Sequence, residues 1–269
     1  MTLSKGTKNK SVEFVGKGIT SRQDIRIEVI PEEPGHGIVF ELPNPEGGAW
    51  IKIPAQAKYV VNTLRNVVLG SEGARLCIVE HFLAAASLFG LDDLTVKVDG
   101  PEMPLGDGSA KIWTDLFVKA GWERATKQAQ FTLKETVLCR KGDRMLLAIP
   151  DETFSVTYMM DWNHPSIGKM WQMWTPAQQA FDISDARTFG SLKEHQLLGI
   201  ADEVVSLTPE GFNQPLHWPD EPVRHKLLDL VGDLALAGVN PMRWKARFIS
   251  IKAGHELDVE MASQLAALI

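Results

Sequence analysis

Val223-Arg224-His225-Lys226-Leu227-Leu228-Asp229-Leu230-Val231-Gly232-Asp233-Leu234-Ala235-Leu236 repeats its apolar positions with a helical period. Val223, Leu227, Leu230, Val231, Leu234 and Leu236 fall on one broad stripe, the mark of a helix with one face against a core, and Gly238 supplies the stop. Toward the N-terminus the pattern changes to short strand-like runs at residues 131–138, 145–149 and 154–161, with a helical segment near 193–198. Toward the C-terminus, Phe248-Ile249-Ser250-Ile251-Lys252 reads as a strand, Ala253-Gly254-His255 as a turn, and residues 257–268 as a closing helix.

The first part of the chain runs through the same order. Val12-Glu13-Phe14-Val15, Ile25-Arg26-Ile27-Glu28-Val29-Ile30 and residues 37–42 alternate with period two, separated by Pro and Gly clusters, as antiparallel strands joined by turns do. Residues 76–89 place Ile78, Phe82, Leu83, Ala86, Leu88 and Phe89 at helical spacing, and Gly90 closes that helix. A strand at 93–99 and an irregular loop with Pro101, Pro104, Gly106 and Gly108 follow, and Ser109 caps a helix over 110–120. Residues 121–130 carry charge without periodicity, which sets a boundary between domains at 1–125 and 126–269.

Composition narrows the function. The 269 residues are 44% hydrophobic and 23% charged with a net charge of −6, an ordinary globular balance that gives no support to non-specific binding of nucleic acid or anionic membrane. Any anionic ligand must meet local cations. Cys77 and Cys139 form no C-x-x-C pair, which excludes a disulfide framework and a cysteine zinc site and suits a reducing compartment. Residues 1–17 are polar and basic, and no run approaches the ~18–20 apolar residues of a membrane span, so a cytoplasmic protein is expected.

Among the histidines, His36, His195 and His217 read as solvated or locally bonded loop residues. His225 differs, because Asp229 stands four residues on along the patterned helix and shares its face. Imidazole and carboxylate both suit zinc, and a catalytic zinc takes three protein groups. Glu80-His81, at the start of an apolar helix, offers a third donor and a free carboxylate, and two polar residues there cost solvation unless used. Alone, His225 with Asp229 reads first as an ordinary helix-surface pair, and Glu80-His81 reads equally as a solvated helix end.

Taken together the segments carry more. Val79-Glu80-His81-Phe82-Leu83-Ala84-Ala85-Ala86, the loop Asp99 to Ala110, Ala186-Arg187-Thr188-Phe189-Gly190, the helix from Val223 to Leu234 and Lys252-Ala253-Gly254-His255 stand in an order that closely resembles the UDP-3-O-acyl-N-acetylglucosamine deacetylases, zinc amidases of lipid A biosynthesis. The resemblance spans residues 12–269, and Asn163-His164-Pro165-Ser166-Ile167-Gly168 resembles a strand turn of the family's second domain. It implies an α+β fold of two similar domains, each a small, mostly antiparallel sheet packed with helices, and an active site between the layers. It further implies Zn2+ held by His81, His225 and Asp229, with Glu80 as general base. His255 resembles a protonated catalytic imidazole, Asp233 the carboxylate that orients it, and Thr188 the hydroxyl that helps hold a tetrahedral intermediate. Lys226 and Lys252 resemble the cations that meet a diphosphate, and Phe189 a substrate contact. The implied partner is a UDP-linked acylated amino sugar; a monomer is one expectation, and the sequence itself does not fix the oligomeric state.

Three departures bear on the substrate. Gly18-Ile19-Thr20 stands where the family usually has Gly-Leu-His, Val67 and Val68 stand where threonine is expected, and no glycine-rich stretch is recognisable in residues 200–222. These leave room for a second reading, a deacetylase for an N-acetyl amino sugar or nucleotide sugar without a long acyl chain. A third reading, a sugar-nucleotide binding module without turnover, is opposed by Glu80, since a binder needs no base. Met159, Met160, Met170, Met173, Trp162, Trp171 and Trp174 either line an acyl passage or simply pack.

Overall fold

A computed structural model of the chain describes residues 10–122, 129–178 and 181–269. The boundary expected at 125/126 lies outside the described residues. The strands are β1 (Val12–Lys17), β2 (Asp24–Pro31), β3 (Ile38–Leu42), β4 (Ile51–Pro54), β5 (Val60–Asn62), β6 (Val68–Ser71), β7 (Ala74–Cys77), β8 (Leu94–Val98) and β9 (Phe131–Thr132). They continue with β10 (Val137–Lys141), β11 (Arg144–Pro150), β12 (Ser155–Trp162), β13 (Gly168–Trp174), β14 (Phe189–Ser191), β15 (Val205–Thr208), β16 (Gly211–Phe212) and β17 (Trp244–Ile251). The α-helices are α1 (Glu80–Phe89), α2 (Lys111–Lys119), α3 (Phe181–Ser184), α4 (Leu192–Leu198), α5 (Glu221–Leu234) and α6 (His255–Ala266).

Two sheets have the same plan. The first runs β1-β2-β8-β3-β4 and the second β10-β11-β17-β12-β13, with β9 added beside β17. In each, one pair in the interior is parallel, β3 with β8 and β12 with β17, and the other pairs along the path are antiparallel. The repeated order of strands and helices in the sequence is therefore a repeated topology, and the fold is α+β with helices packed on small sheets. Alternation along the strands aims Ile25, Ile27 and Val29 of β2 and Leu146 and Ala148 of β11 inward. Helix α2 packs on β1, α6 on β10 and β11, and α5 on β12 and β13. Phe82 of α1 stands edge-on to Phe40 of β3 and to Trp113 of α2, tying α1 to the first sheet.

The helices α1 and α5, equivalent by topology, pack against each other. The close approach is made at Gly232. A Cβ there would lie 2.1 Å from the carbonyl oxygen of Glu80 and 3.2 Å from the amide of Ala84, both of them backbone atoms that cannot swing aside. Gly232→Ala would gain roughly 1 kcal/mol of helix propensity. Overpacking typically costs about 1–3 kcal/mol, and here the obstacle is a helix backbone. The expected net result is a lower melting temperature, because α1 and α5 are forced apart. A variant that melts at or above the parent temperature would show that the helices can separate freely.

Several boundaries differ from the sequence expectation. The helix expected from Leu76 starts at Glu80, because Cys77 is committed to extended pairing: its N–H donates to the Pro101 carbonyl (3.0 Å) and its own carbonyl accepts from Met103 N (2.9 Å). The run 131–138 divides into β9 and β10, and the last helix begins at His255 rather than after it. His195, read as a solvated or locally bonded loop residue, lies in α4, buried, with Nδ1 2.8 Å from Ser206 Oγ.

Candidate metal centre

A tight turn aims the first residues of α1 at α5. Ile78 has φ of 63°, a left-handed conformation that costs a β-branched residue on the order of 1–3 kcal/mol. Its N–H donates to the Val67 carbonyl (3.1 Å), and the amide of Val67 donates to Glu80 Oε2 (3.1 Å). The strained turn and the strand start thus fix Glu80, which is buried. Burial pushes its carboxyl up from the ordinary carboxylate range, against the field of His255 and His81.

His81, His225 and Asp229 are all buried, and one donor atom from each lies within 4.8 Å of the others. Asp229 Oδ1 is 3.2 Å from His225 Nε2 and 3.5 Å from His81 Nε2. The two imidazole rings are nearly perpendicular at 86°, their centroids 5.0 Å apart. Ligand bonds of ~2.0–2.1 Å in a tetrahedral site put donors about 3.3–3.4 Å apart, between the two observed spacings.

The protonation pattern also fits a cation. His225 Nδ1 is 3.0 Å from the Ala186 carbonyl, which can only accept, so the ring proton sits on Nδ1. Burial lowers the His225 pKa to about 3, so the ring is neutral and its Nε2 lone pair faces the carboxylate. Burial would raise Asp229, but the charges around it, with the Lys226 ammonium at 2.7 Å, hold it well below the usual range. Two electron-rich atoms 3.2 Å apart in a dry site repel unless a positive charge lies between them. Asp229 Oδ1 and His81 Nδ1 have no hydrogen-bond partner among the described residues. This donor set fits zinc.

His255, the first residue of α6, places Nδ1 2.7 Å from Asp233 Oδ2, one turn beyond Asp229 on α5. Burial alone would lower its pKa, but Asp233, with Asp229 and Glu80 behind it, outweighs burial and raises it to about 10. Next to this pair lies Asp258, fully buried, with neither carboxylate oxygen partnered among the described residues; burial and the charge of Asp233 push it well above its ordinary range. Sequence reasoning missed Asp258, although its spacing of three from His255 puts both on one face of α6.

The same pair sets the sign of a pH effect on stability. The folded His255 pKa of about 10 exceeds the ordinary 6.5, so its contribution is full below about pH 6.5 and is lost as pH rises through about 10. Asp233→Asn removes the carboxylate behind that shift, and its melting temperature is expected to change less than the parent's between pH 6.5 and 10. Parallel pH dependence in the two proteins would break the assignment.

The other expected site residues divide. Lys226 and Lys252 both line an open cavity of about 320 Å³, with Arg144, Tyr158, Met160 and Trp162. Lys252 is ion-paired to Asp143 there. Phe189 stands edge-on to Trp162, ring centroids 5.2 Å apart. Thr188 packs against the loop before α2, its N–H donating to the Gly108 carbonyl at 2.7 Å, and its hydroxyl makes no hydrogen bond among the described residues. The methionine and tryptophan run is split by strand alternation: Met160 and Trp162 face the cavity, Trp174 is buried, and Trp171 and Met173 are exposed. Thr20 is held by its N–H, 3.1 Å from Glu102 Oε1 and Oε2. Among the described residues no helix is long and apolar enough to cross a membrane.

Two buried imidazoles and a carboxylate around one point, with a further carboxylate alongside, make the donor set of a metal-dependent hydrolase. Residues 5–267 match the family described as UDP-3-O-acyl N-acetylglycosamine deacetylase, and the chain belongs to that family. Among curated proteins it is similar to the UDP-3-O-acyl-N-acetylglucosamine deacetylase of Nostoc sp., 33% identical over 286 residues, covering 99% of each chain. The enzyme of the same name from Synechocystis sp. is 34% identical, with 93% of this chain and 94% of the relative covered. That of Myxococcus xanthus is also 34% identical, with 96% and 85% covered. The family is one of deacetylases, hydrolases of lipid A biosynthesis.

Proposed function

We propose that this chain removes the N-acetyl group of UDP-3-O-acyl-N-acetylglucosamine as acetate, with Zn2+ held by His81, His225 and Asp229. The observation that carries the reading is the meeting of three donors from two helices beside the buried carboxyl of Glu80. Family membership and the names of the relatives support the substrate.

An ion held by His81, His225 and Asp229 would supply Lewis acidity toward the acetamide carbonyl and water. The chain supplies the rest. Hydrolysis forms a C–O bond, breaks the C–N bond and must deliver a proton to the leaving amine. Glu80, oriented by the Val67 amide and with its proton affinity raised by burial, takes the proton of the attacking water. His255, held as imidazolium by Asp233, sets a positive charge beside the developing negative oxygen and is a second proton source. Thr188 adds a hydroxyl to that oxygen's surroundings, Lys226 and Lys252 bring cations to the cavity for the diphosphate, and Phe189 with Trp162 forms an apolar wall.

Acetate release from the 3-O-acylated UDP sugar, with metal analysis of the purified protein, tests the reading; plain UDP-N-acetylglucosamine is the comparison. Preference for the unacylated compound would move the assignment to the second reading, which the shortened region 200–222 allows. Activity is expected to be bell-shaped in pH, rising as Glu80 loses its proton and falling as His255 loses its own near 10. His255→Ala should erase the alkaline limb; its survival would remove His255 from the chemistry.

A further inference from the structure

We infer that Arg187 and Glu221 are positioning residues of the metal centre, acting through the single peptide unit that joins Ala186 to Arg187. This inference rests on the zinc reading of the site. The carbonyl of that peptide accepts from His225 Nδ1 at 3.0 Å, and its N–H donates to Glu221 Oε1 at 3.0 Å. Glu221 and His225 stand four residues apart on α5, hence on one face of it. A peptide is planar, so fixing its N–H against the first turn of α5 fixes where its carbonyl points one turn later.

The fixing is thorough. Arg187 Nε donates to Glu221 Oε1 (2.8 Å) and Nη2 to Glu221 Oε2 (3.0 Å), a forked contact. Its Nη2 also donates to the Pro215 carbonyl (2.8 Å) and its Nη1 to Gln214 Oε1 (3.1 Å). Glu221 Oε2 accepts as well from the His217 amide (2.6 Å). Both side chains are buried, at 8% and 1% exposure, which is costly for charges unless every partner is supplied. The consequence falls on His225: with its proton held on Nδ1 by the Ala186 carbonyl, Nε2 presents its lone pair beside Asp229 before any ion arrives. Tilting the peptide releases the ring to the other tautomer and turns an N–H toward the metal position.

The test uses Glu221→Gln and the milder Arg187→Lys, which keeps the charge and loses the fork. Two readouts are independent of turnover. In metal-free protein, nitrogen NMR of the His225 ring should show protonation at Nδ1 in the parent and a mixture of tautomers in the variants. Competition titration should show zinc affinity reduced ~10–100-fold, the usual loss when a group that orients a metal ligand is removed. Arg243→Lys, at the remote Arg243–Asp92 pair, serves as a control that lowers stability without touching the centre. A folded Arg187→Lys with parental zinc affinity and an unchanged His225 tautomer overturns the inference, as does an equal loss in the Arg243→Lys control. Should Glu221→Gln not fold, Arg187→Lys decides. Failure of the functional reading is distinguishable, because it would appear in the parent protein as tight zinc binding without acetate release.

Discussion

Glu80→Gln is expected to retain its metal and its fold and to lose roughly 10²–10⁴-fold in turnover, the range for removal of a general base. The substitution is nearly isosteric, and an amide oxygen can still accept from the Val67 amide that now binds Glu80 Oε2 at 3.1 Å. The strained turn at Ile78 and the start of α1 should therefore survive. The loss is one of proton affinity. None of the three donors His81, His225 and Asp229 is altered, so zinc content should match the parent's. Equal zinc and undiminished acetate release would remove Glu80 from the reaction.

The second large effect is expected from His225→Ala, which should weaken zinc binding by more than about 100-fold, beyond the loss typical of partners that only orient a ligand. It deletes one donor of the three and leaves the Ala186 carbonyl without the imidazole N–H. Activity should fall to background with it. A stability readout accompanies this. An ion that binds only the folded chain stabilises it by about 2.7 kcal/mol at a hundred times its Kd, so added zinc should raise the melting temperature of the parent and hardly move that of the variant. A zinc-dependent rise of the same size in His225→Ala would place the ion elsewhere.

Much of this was legible in the sequence because it rests on periodicity. The alternation at residues 25–30 and the stripe at 223–236 made a strand and a helix, and Asp229 four residues after His225 put two donors on one face. Glu80-His81 stood out as polar residues opening an apolar helix, and the resemblance added Asp233 and His255; the fold brings all four into one buried neighbourhood. Features set by tertiary contact stayed hidden. The helical reading of residues 76–89 took in Leu76 and Cys77, yet Leu76 pairs with Leu69 of β6 and Cys77 with residues 101–103, which makes both extended, and the chain turns into the helix through the left-handed Ile78. The Ala186 carbonyl has no side chain to announce it. Strand β13 carries Met and Trp on both of its faces, so its exposed Trp171 and Met173 could not be told from its buried Trp174. Asp258 was passed over because an acid between Glu256 and Glu260 in a helix reads as solvated, whereas this one is wholly enclosed.

The contact of α1 with the bare backbone at Gly232 has an effect on assembly. One imidazole comes from a helix that lies between strands of the first sheet, and the other two donors come from a helix belonging to the second. Neither portion of the polypeptide, made separately, possesses a full coordination set. Ion capture by a mixture of the two pieces would therefore report their reunion, and substitutions that merely slacken the seam would surrender the cation well before the protein melts.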